Sequence, residues 1–240
     1  ILTLYFGVGT SEPKIREFLV NMGVQISKGE VSDLLIQKQE TFHAESEAVY
    51  EAGLRSSPWQ QSDHTETRVN GERRHCQVVC SPVYTSYHTR PKVDRLTALD
   101  VLRQGRKRIF LLNEEAFGYL ENVALSKAAQ AVLPKWQSDK VWEEAAFMKR
   151  LEKALPNLNT QQHTAILGAA AVAAYHAEKD VPIVDTLVCD DASVFHWLTR
   201  AMMLCWVHDG RAYKKLEPVI ALHRQQLADF RKRYWEYYHQ

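Results

Sequence analysis

The sequence predicts an α/β protein in which one sheet is interrupted by a large helical insertion. The first observation is an alternating pattern over residues 59–69 that ends at the turn dipeptide Asn70-Gly71. The second is a short apolar run over residues 181–189, which is typical of a buried parallel strand. The third lies between them, because residues 114–179 are helical in pattern almost throughout.

The composition excludes several classes of protein. The chain has 240 residues, 45% hydrophobic and 25% charged, with 30 basic and 29 acidic side chains. This balance excludes a histone-like binder and an acidic disordered activator, but not a nucleic-acid enzyme with local basic patches. Four cysteines are too few for a secreted protein of this size that is held together by disulfide bonds, so we expect a cytoplasmic protein. No apolar run reaches the ~18 residues of a membrane helix, so no membrane partner is expected.

The first 55 residues are predicted to be helical. Ser11 and Ser27 each precede a short amphipathic pattern, as helix-capping residues do. Two short helices around a turn form a candidate helix-turn-helix in which Lys28 would contact DNA. The alternative is a packing element that leads into one long helix over residues 31–52.

A three-stranded meander and a helix are predicted next. The strand over residues 59–69 returns as residues 75–80, and Pro82 separates that strand from a third over residues 83–89. A helix capped by Thr97 follows. We assign residues 56–216 to one core domain on this basis.

The rest of that domain alternates helices and short strands. After the insertion at about residues 114–179 come the strand at 181–189, a helix over 192–200 and an apolar run over 202–207. Residues 217–240 are helical in pattern. The chain starts and stops inside patterned stretches, so we interpret it as a piece of a longer protein.

Two aspartates stand out by their positions in predicted strands. Asp63 lies in the middle of the first strand, and Asp190 closes the later buried strand. Aspartate is depleted in strands, and two carboxylates on adjacent strands would hold hard divalent cations. The predicted order, which is three strands, a helix and then a strand that ends in Asp, is that of a ribonuclease-H-like fold.

These residues also resemble a known family, the DDE transposases of bacterial insertion sequences. The group in question has a ribonuclease-H-like central domain interrupted by helices. The resemblance runs over essentially the whole chain, and the last two of its matching stretches are the most specific. The matching stretches are residues 52–54, 62–71, 80–85, 187–192 and 204–208, followed by Arg211, Tyr213, Lys214, Lys215 and Leu216.

The resemblance implies the roles of the acidic residues. Asp63 and Asp190 match the first two family carboxylates, which are catalytic and hold Mg²⁺ or Mn²⁺. Asp191 competes with Asp190 for the second position. The family's third acid, a glutamate on a later helix, has no counterpart here, so the chain alone is expected to be inactive in strand transfer. His64 departs from the acidic residue that many relatives carry after the first aspartate.

The function implied is metal-dependent cleavage of DNA and strand transfer at transposon ends. The partners implied are transposon-end and target DNA, together with further copies of the chain in a homo-oligomeric complex. Two alternatives stay open at this point. One is a non-catalytic DNA-binding remnant of a transposase, and the other is a metal-dependent nuclease of the same fold.

Cys205 and His208 form a Cys-x-x-His pair that the resemblance suggests is a brace or a metal-related pair beside the active site. A structural zinc site needs four ligands, and nothing in the spacing of Cys76, Cys80 or Cys189 forces them to join this pair. We therefore expect no zinc. Buried cysteines on strands explain the pattern equally well.

Two basic clusters are candidates for phosphate contacts. Arg211, Lys214 and Lys215 follow the second aspartate directly, so we interpret them as DNA-binding residues. Residues 106–108 are three consecutive cations, for which we favour a solvated helix face.

Overall fold

The computed structural model describes all 240 residues, and their contacts divide the chain into two units, Ile1–Val49 and Tyr50–Gln240. The protein is α/β, with ten α-helices, a five-stranded mixed sheet and a two-stranded ribbon. None of its helices combines the length and the apolar character that crossing a membrane requires.

The first unit consists of short helices around a small core. Its elements are a π-helical turn (Thr3–Gly7), α1 (Glu12–Asn21), α2 (Lys28–Ile36) and the beginning of α3 (Glu40–Ser56). Ser27 caps α2, because its hydroxyl accepts a hydrogen bond from the Glu30 backbone while the Glu30 carboxylate accepts one from the Ser27 backbone. The core contains only three buried apolar side chains, Ile15, Val31 and Leu35.

The prediction of one long helix over residues 31–52 is wrong. Helix α2 ends at Ile36, and α3 begins only at Glu40. Between them Lys38 has a φ of 58°, a left-handed conformation that a right-handed helix cannot continue through. Lys28 is exposed at the start of α2, and its contact with DNA stays a prediction.

The second unit is built on a sheet with the strand order β3-β2-β1-β6-β7. Its strands in chain order are β1 (Trp59–Val69), β2 (Glu72–Ser81), β3 (Tyr84–Arg90), β4 (Ile109–Phe110), β5 (Trp142–Glu143), β6 (Thr186–Cys189) and β7 (Ala201–Leu204). The predicted meander β1-β2-β3 is confirmed and is antiparallel, whereas β6 pairs in parallel with β1, and β7 with β6. Strands β4 and β5 pair only with each other.

Five helices cover one face of this sheet and share its core: α4 (Arg95–Leu102), α5 (Glu114–Leu120), α6 (Lys127–Val132), α7 (Glu144–Ala154) and α8 (Thr160–Ala177). Helices α9 (Trp206–Lys214) and α10 (Ala221–Tyr238) follow β7 and contribute no residue to that core. The alanine-rich α8 is the centre of the core and is buried from Ile166 to Tyr175. In β1, Gln60 and Ser62 are buried, whereas Asp63 is exposed, so Asp63 lies on the uncovered face.

Buried polar groups fix the start of β1 beneath α3. The Gln60 amide donates to the carbonyls of Leu54 and Ser57, and its oxygen accepts a hydrogen bond of 2.8 Å from the Tyr84 hydroxyl. Gly53 lies directly on the Tyr84 ring, where a Cβ atom would come within 2.5 Å of a ring carbon. These contacts satisfy carbonyls at the end of α3 and place β1 in register.

Two further predictions are corrected here. The cap of α4 is Asp94, whose carboxylate accepts a 2.7 Å hydrogen bond from the backbone of Thr97. Residues 192–200 form a series of turns instead of a helix. Arg95 donates to the carbonyls of Ser193 and His196, both at 2.8 Å, so these carbonyls are held by a side chain rather than by helical hydrogen bonds.

Candidate metal centre

The structure brings Asp63 and Asp190 together at one edge of the sheet. Gln61 of β1 lies opposite Val188 of β6 in the parallel register. Asp63 and Asp190 each follow two residues later, so the pairing places them side by side with their side chains on the uncovered face. One ligand atom each from Asp63, Asp190 and His208 lie within 4.8 Å of one another.

His208 reaches the carboxylates because α9 begins immediately after the edge strand. The backbone N–H of Cys205 donates to the carbonyl of Cys189 at 2.7 Å, which extends the pairing of β7 with β6 to the first residue before α9. His208 lies in the first turn of this helix, and its Nε2 is 4.0 Å from an Asp63 carboxylate oxygen. Its Nδ1 is buried without a hydrogen-bond partner.

This placement changes the interpretation of the Cys-x-x-His pair. Cys205 is the cap of α9 and His208 lies within that helix, so the two residues are not equivalent parts of one site. Only His208 joins the acidic residues, and Cys205 is not part of that group. The absence of zinc stays a prediction.

Backbone groups hold one oxygen of each carboxylate. An Asp63 oxygen accepts a hydrogen bond of 2.7 Å from the backbone of His64. An Asp190 oxygen accepts one of 3.2 Å from the backbone of Ala192. Each carboxylate therefore retains its second oxygen for a further ligand.

His64 connects the two segments that carry the aspartates. Its ring stacks on Phe195, which lies in the turns after Asp190, with ring centroids 4.8 Å apart and planes inclined by 27°. Burial lowers the pKa of His64, although the nearby carboxylates of Asp63 and Asp190 act in the opposite direction. His64 thus packs as a neutral ring beside the two carboxylates.

The neighbouring residue Asp191 lies outside the centre. Its side chain is 73% exposed, and its carboxylate pairs with His196 at 3.0 Å. The geometry therefore favours Asp190 over Asp191 as the second carboxylate. The third member of the group is His208 and not a carboxylate, and the Glu236 carboxylate in α10 pairs with Lys232 instead.

The predicted DNA-binding residues lie on and just beyond α9. Arg211, Lys214 and Lys215 are all exposed, and none of them forms an ion pair. Arg211 and Lys215 follow His208 at i+3 and i+7, so they share its side of the helix, whereas Lys214 points elsewhere. Two uncompensated positive charges thus lie along the helix face that leads from the carboxylates.

Two carboxylates and one imidazole suit a six-coordinate divalent cation. Oxygen donors favour Mg²⁺ and Mn²⁺, and an imidazole nitrogen increases the preference for Mn²⁺ over Mg²⁺. Three protein ligands leave positions for water and for an oxygen of a phosphate group. The residues present therefore fit the cofactor that the resemblance implies.

Comparison with known proteins adds no relative to this picture. No family model, curated protein or solved structure matches this chain.

Proposed function

We propose that this chain is the catalytic part of a DDE-type DNA transposase with a ribonuclease-H-like core. The observation that carries the proposal is the convergence of Asp63, Asp190 and His208 within 4.8 Å. The strand order supports it, since a three-stranded antiparallel meander followed by two parallel strands is the sheet that such a core would have. Its reaction is metal-dependent cleavage of a DNA phosphodiester, followed by strand transfer.

Each group in the centre has a distinct role in this proposal. Asp63 and Asp190 would hold a Mg²⁺ or Mn²⁺ ion through their free oxygens, with His208 as the third ligand. Held there, the ion would supply Lewis-acid polarisation of the scissile phosphodiester and activation of the attacking water or DNA 3′-hydroxyl. The backbone donors from His64 and Ala192 keep both carboxylates oriented without competing for their second oxygens.

The basic face of α9 orients the substrate. Arg211 and Lys215 extend from His208 along one side of the helix, at a spacing that lets them contact successive backbone phosphates of a DNA strand. Such contacts are independent of base sequence and weaken as the salt concentration rises. They position the scissile phosphodiester at the carboxylates, where placement within about 1 Å decides the rate.

The test is nicking of supercoiled plasmid in Mn²⁺, with chelator as the blank. We expect slow nicking that Asp63→Asn or Asp190→Asn reduces by at least ~100-fold, because each change removes one of three metal ligands. Asp191→Asn is the matched control and should nick like the unmodified chain, because Asp191 lies outside the centre. Equal nicking by the Asp63→Asn chain would overturn the proposal.

A second assay separates a transposase from a nuclease of the same fold. The two carboxylates are accompanied by a histidine instead of a third carboxylate, which is the specific observation that keeps the nuclease candidate. A DNA duplex with a free 3′-hydroxyl is incubated with target plasmid, and joined products are measured. Joining that depends on Asp63 assigns the chain to the transposases, whereas nicking without joining is expected both of a nuclease and of a transposase chain that lacks its third carboxylate.

A further inference from the structure

A second site lies where the end of β3 meets the loop that follows α4. It is a surface pocket of about 350 Å³, and none of its lining residues belongs to the metal centre. Five of the nine lining residues are cationic, and one is acidic. The lining consists of Arg90, Pro91, Lys92, Thr97, Asp100, Gly105, Arg106, Lys107 and Arg108.

Three of the five cations have no counter-ion in the protein. Asp100 is neutralised by Arg108, with a separation of 2.7 Å. Lys92 is likewise paired with a carboxylate, that of Asp94, at 2.6 Å. The remaining cations, Arg90, Arg106 and Lys107, form no ion pair. Their charge is concentrated on one concave surface, which favours a polyanionic ligand.

Arg90 carries the clearest sign of a missing partner. Its Nε–H is buried and donates to no acceptor in the protein. A buried donor without an acceptor is costly, and the cost is largest when the group is charged. Arg90 lines the pocket, so an oxyanion there would balance its charge and offer acceptors to its guanidinium group.

Hydrogen bonds from the buried Arg103 side chain anchor the loop that carries Arg106 and Lys107. Arg103 is 3% exposed, forms two hydrogen bonds of 2.7 and 2.8 Å with the Glu178 carboxylate, and donates to the carbonyl of Lys107 at 2.9 Å. Gly105 has a φ of 69°, which turns the chain sharply after α4. The exposed cations therefore stand on an anchored backbone, so ligand binding does not have to order the backbone of this loop.

These contacts also correct the interpretation of residues 106–108 as a solvated helix face. Helix α4 ends at Leu102, so the three cations lie in a loop. Arg108 is not solvated either, because it is paired with Asp100 and Glu144.

We propose that this pocket binds a phosphate group. A phosphate dianion balances two of the three unpaired positive charges, and guanidinium groups donate to its oxygens with favourable planar geometry. The group is either a free phosphate or a backbone phosphate of nucleic acid, which share the same oxyanion chemistry. The proposal is independent of the reaction at the metal centre.

The first experiment uses inorganic phosphate and the intact chain. Phosphate should raise the melting temperature above that in chloride of equal ionic strength, because it binds only the folded state. The double variant Arg106→Gln/Lys107→Gln changes exposed side chains, and we expect it to weaken phosphate binding by about tenfold in calorimetric titration. The matched control is Lys149→Gln/Lys153→Gln on α7, whose two lysines are also exposed and unpaired.

Arg90→Gln tests the buried donor separately. It should abolish the phosphate-dependent rise in melting temperature even if it changes the melting temperature in chloride. The proposal is overturned if phosphate has no effect beyond that of chloride. It is also overturned if the Arg106→Gln/Lys107→Gln chain binds phosphate as tightly as the control.

The second experiment identifies the source of the phosphate. The same variants are titrated with a duplex oligonucleotide at several salt concentrations. If the pocket holds a backbone phosphate, Arg106→Gln/Lys107→Gln lowers the slope of log affinity against log salt by about one. If inorganic phosphate binding is lost in this variant while DNA binding is unchanged, the ligand is a free phosphate.

Discussion

Burial keeps the His88 imidazole neutral at a pH at which an exposed histidine is protonated. Its ring packs on Tyr50 with centroids 4.5 Å apart, and its Nε2 lies 3.0 Å from the Ser86 hydroxyl. Burial, and to a lesser extent the charge of Arg90, lowers the pKa of His88 to about 4. The unfolded chain binds this proton near pH 6.5. The free energy of unfolding therefore falls as the pH decreases from about 6.5 to about 4.

His88→Gln should remove this part of the pH dependence. At pH 7 the variant is less stable than the unmodified chain, because the contact with Tyr50 is lost. That deficit should shrink by up to about 2 kcal/mol at pH 4, after allowance for the partial exposure of the ring. Urea unfolding at pH 7 and at pH 4 measures this stability deficit, with His223→Gln on the exposed side of α10 as the control. A deficit that is the same at both pH values would contradict the assigned protonation state.

Close packing between α3 and β3 depends on the absence of a side chain at Gly53. A Cβ atom there would lie 2.5 to 2.7 Å from three carbons of the Tyr84 ring. The ring has little freedom to move, because its hydroxyl donates to the buried amide oxygen of Gln60. The helix and the strand are thus in contact through a glycine and a ring that is hydrogen-bonded in place.

Gly53→Ala is therefore expected to destabilise the second unit by about 1–3 kcal/mol, although alanine is the better helix former. Gly118→Ala in α5 is the matched control, since no atom lies within 4 Å of the added carbon and the helix gains intrinsic propensity. Thermal unfolding of both variants measures the difference. Equal or higher stability of the Gly53→Ala chain would mean that the Tyr84 ring is free to move aside.

Local patterns explain why some elements were predictable. The meander β1-β2-β3 follows from alternation and from the Asn70-Gly71 turn, whose residues have φ values of 52° and 81° as a two-residue hairpin requires. The break at Lys38 and the turns over residues 192–200 carry no such local signal. The second of these depends on hydrogen bonds from Arg95, about a hundred residues earlier in the chain, which no periodicity encodes.

The same distinction applies to the metal centre. Asp63 and Asp190 could be selected because each is an acidic residue in or at the end of a predicted strand. The position of His208 could not, because it depends on where α9 begins relative to the end of β7. The available signal was the resemblance, which suggested that Cys205 and His208 form a brace or a metal-related pair beside the active site but did not indicate which of the two reaches the carboxylates.

At the scale of the whole molecule, the centre joins parts of the chain that are far apart in sequence. Asp63 belongs to the meander, Asp190 follows the helical insertion, and His208 begins the C-terminal helices. The unfolded chain cannot bring these three groups together, so a cation that binds all of them binds the folded state selectively. Metal binding should therefore stabilise the second unit as a whole.

We expect Mn²⁺ to raise the melting temperature reversibly. At a Mn²⁺ concentration one hundred times the dissociation constant, the free energy of unfolding should rise by about 2.7 kcal/mol. For a unit of this size this corresponds to a rise in melting temperature of roughly 5–10 °C. Mg²⁺ at the same concentration should give a smaller shift, because it gives up its waters reluctantly and gains less from an imidazole ligand. The measurement is a melting curve in each metal, with chelator as the reference.

Variants separate the centre from metal bound elsewhere on the surface. Asp63→Asn should remove most of the Mn²⁺ shift, and Asp191→Asn should leave it unchanged. His208→Ala should reduce the shift in Mn²⁺ more than in Mg²⁺, because the imidazole nitrogen contributes more to Mn²⁺ binding. If the His208→Ala chain retains the full preference for Mn²⁺, then His208 is not a ligand. The third position of the centre would in that case be filled by water or by a group of the DNA substrate.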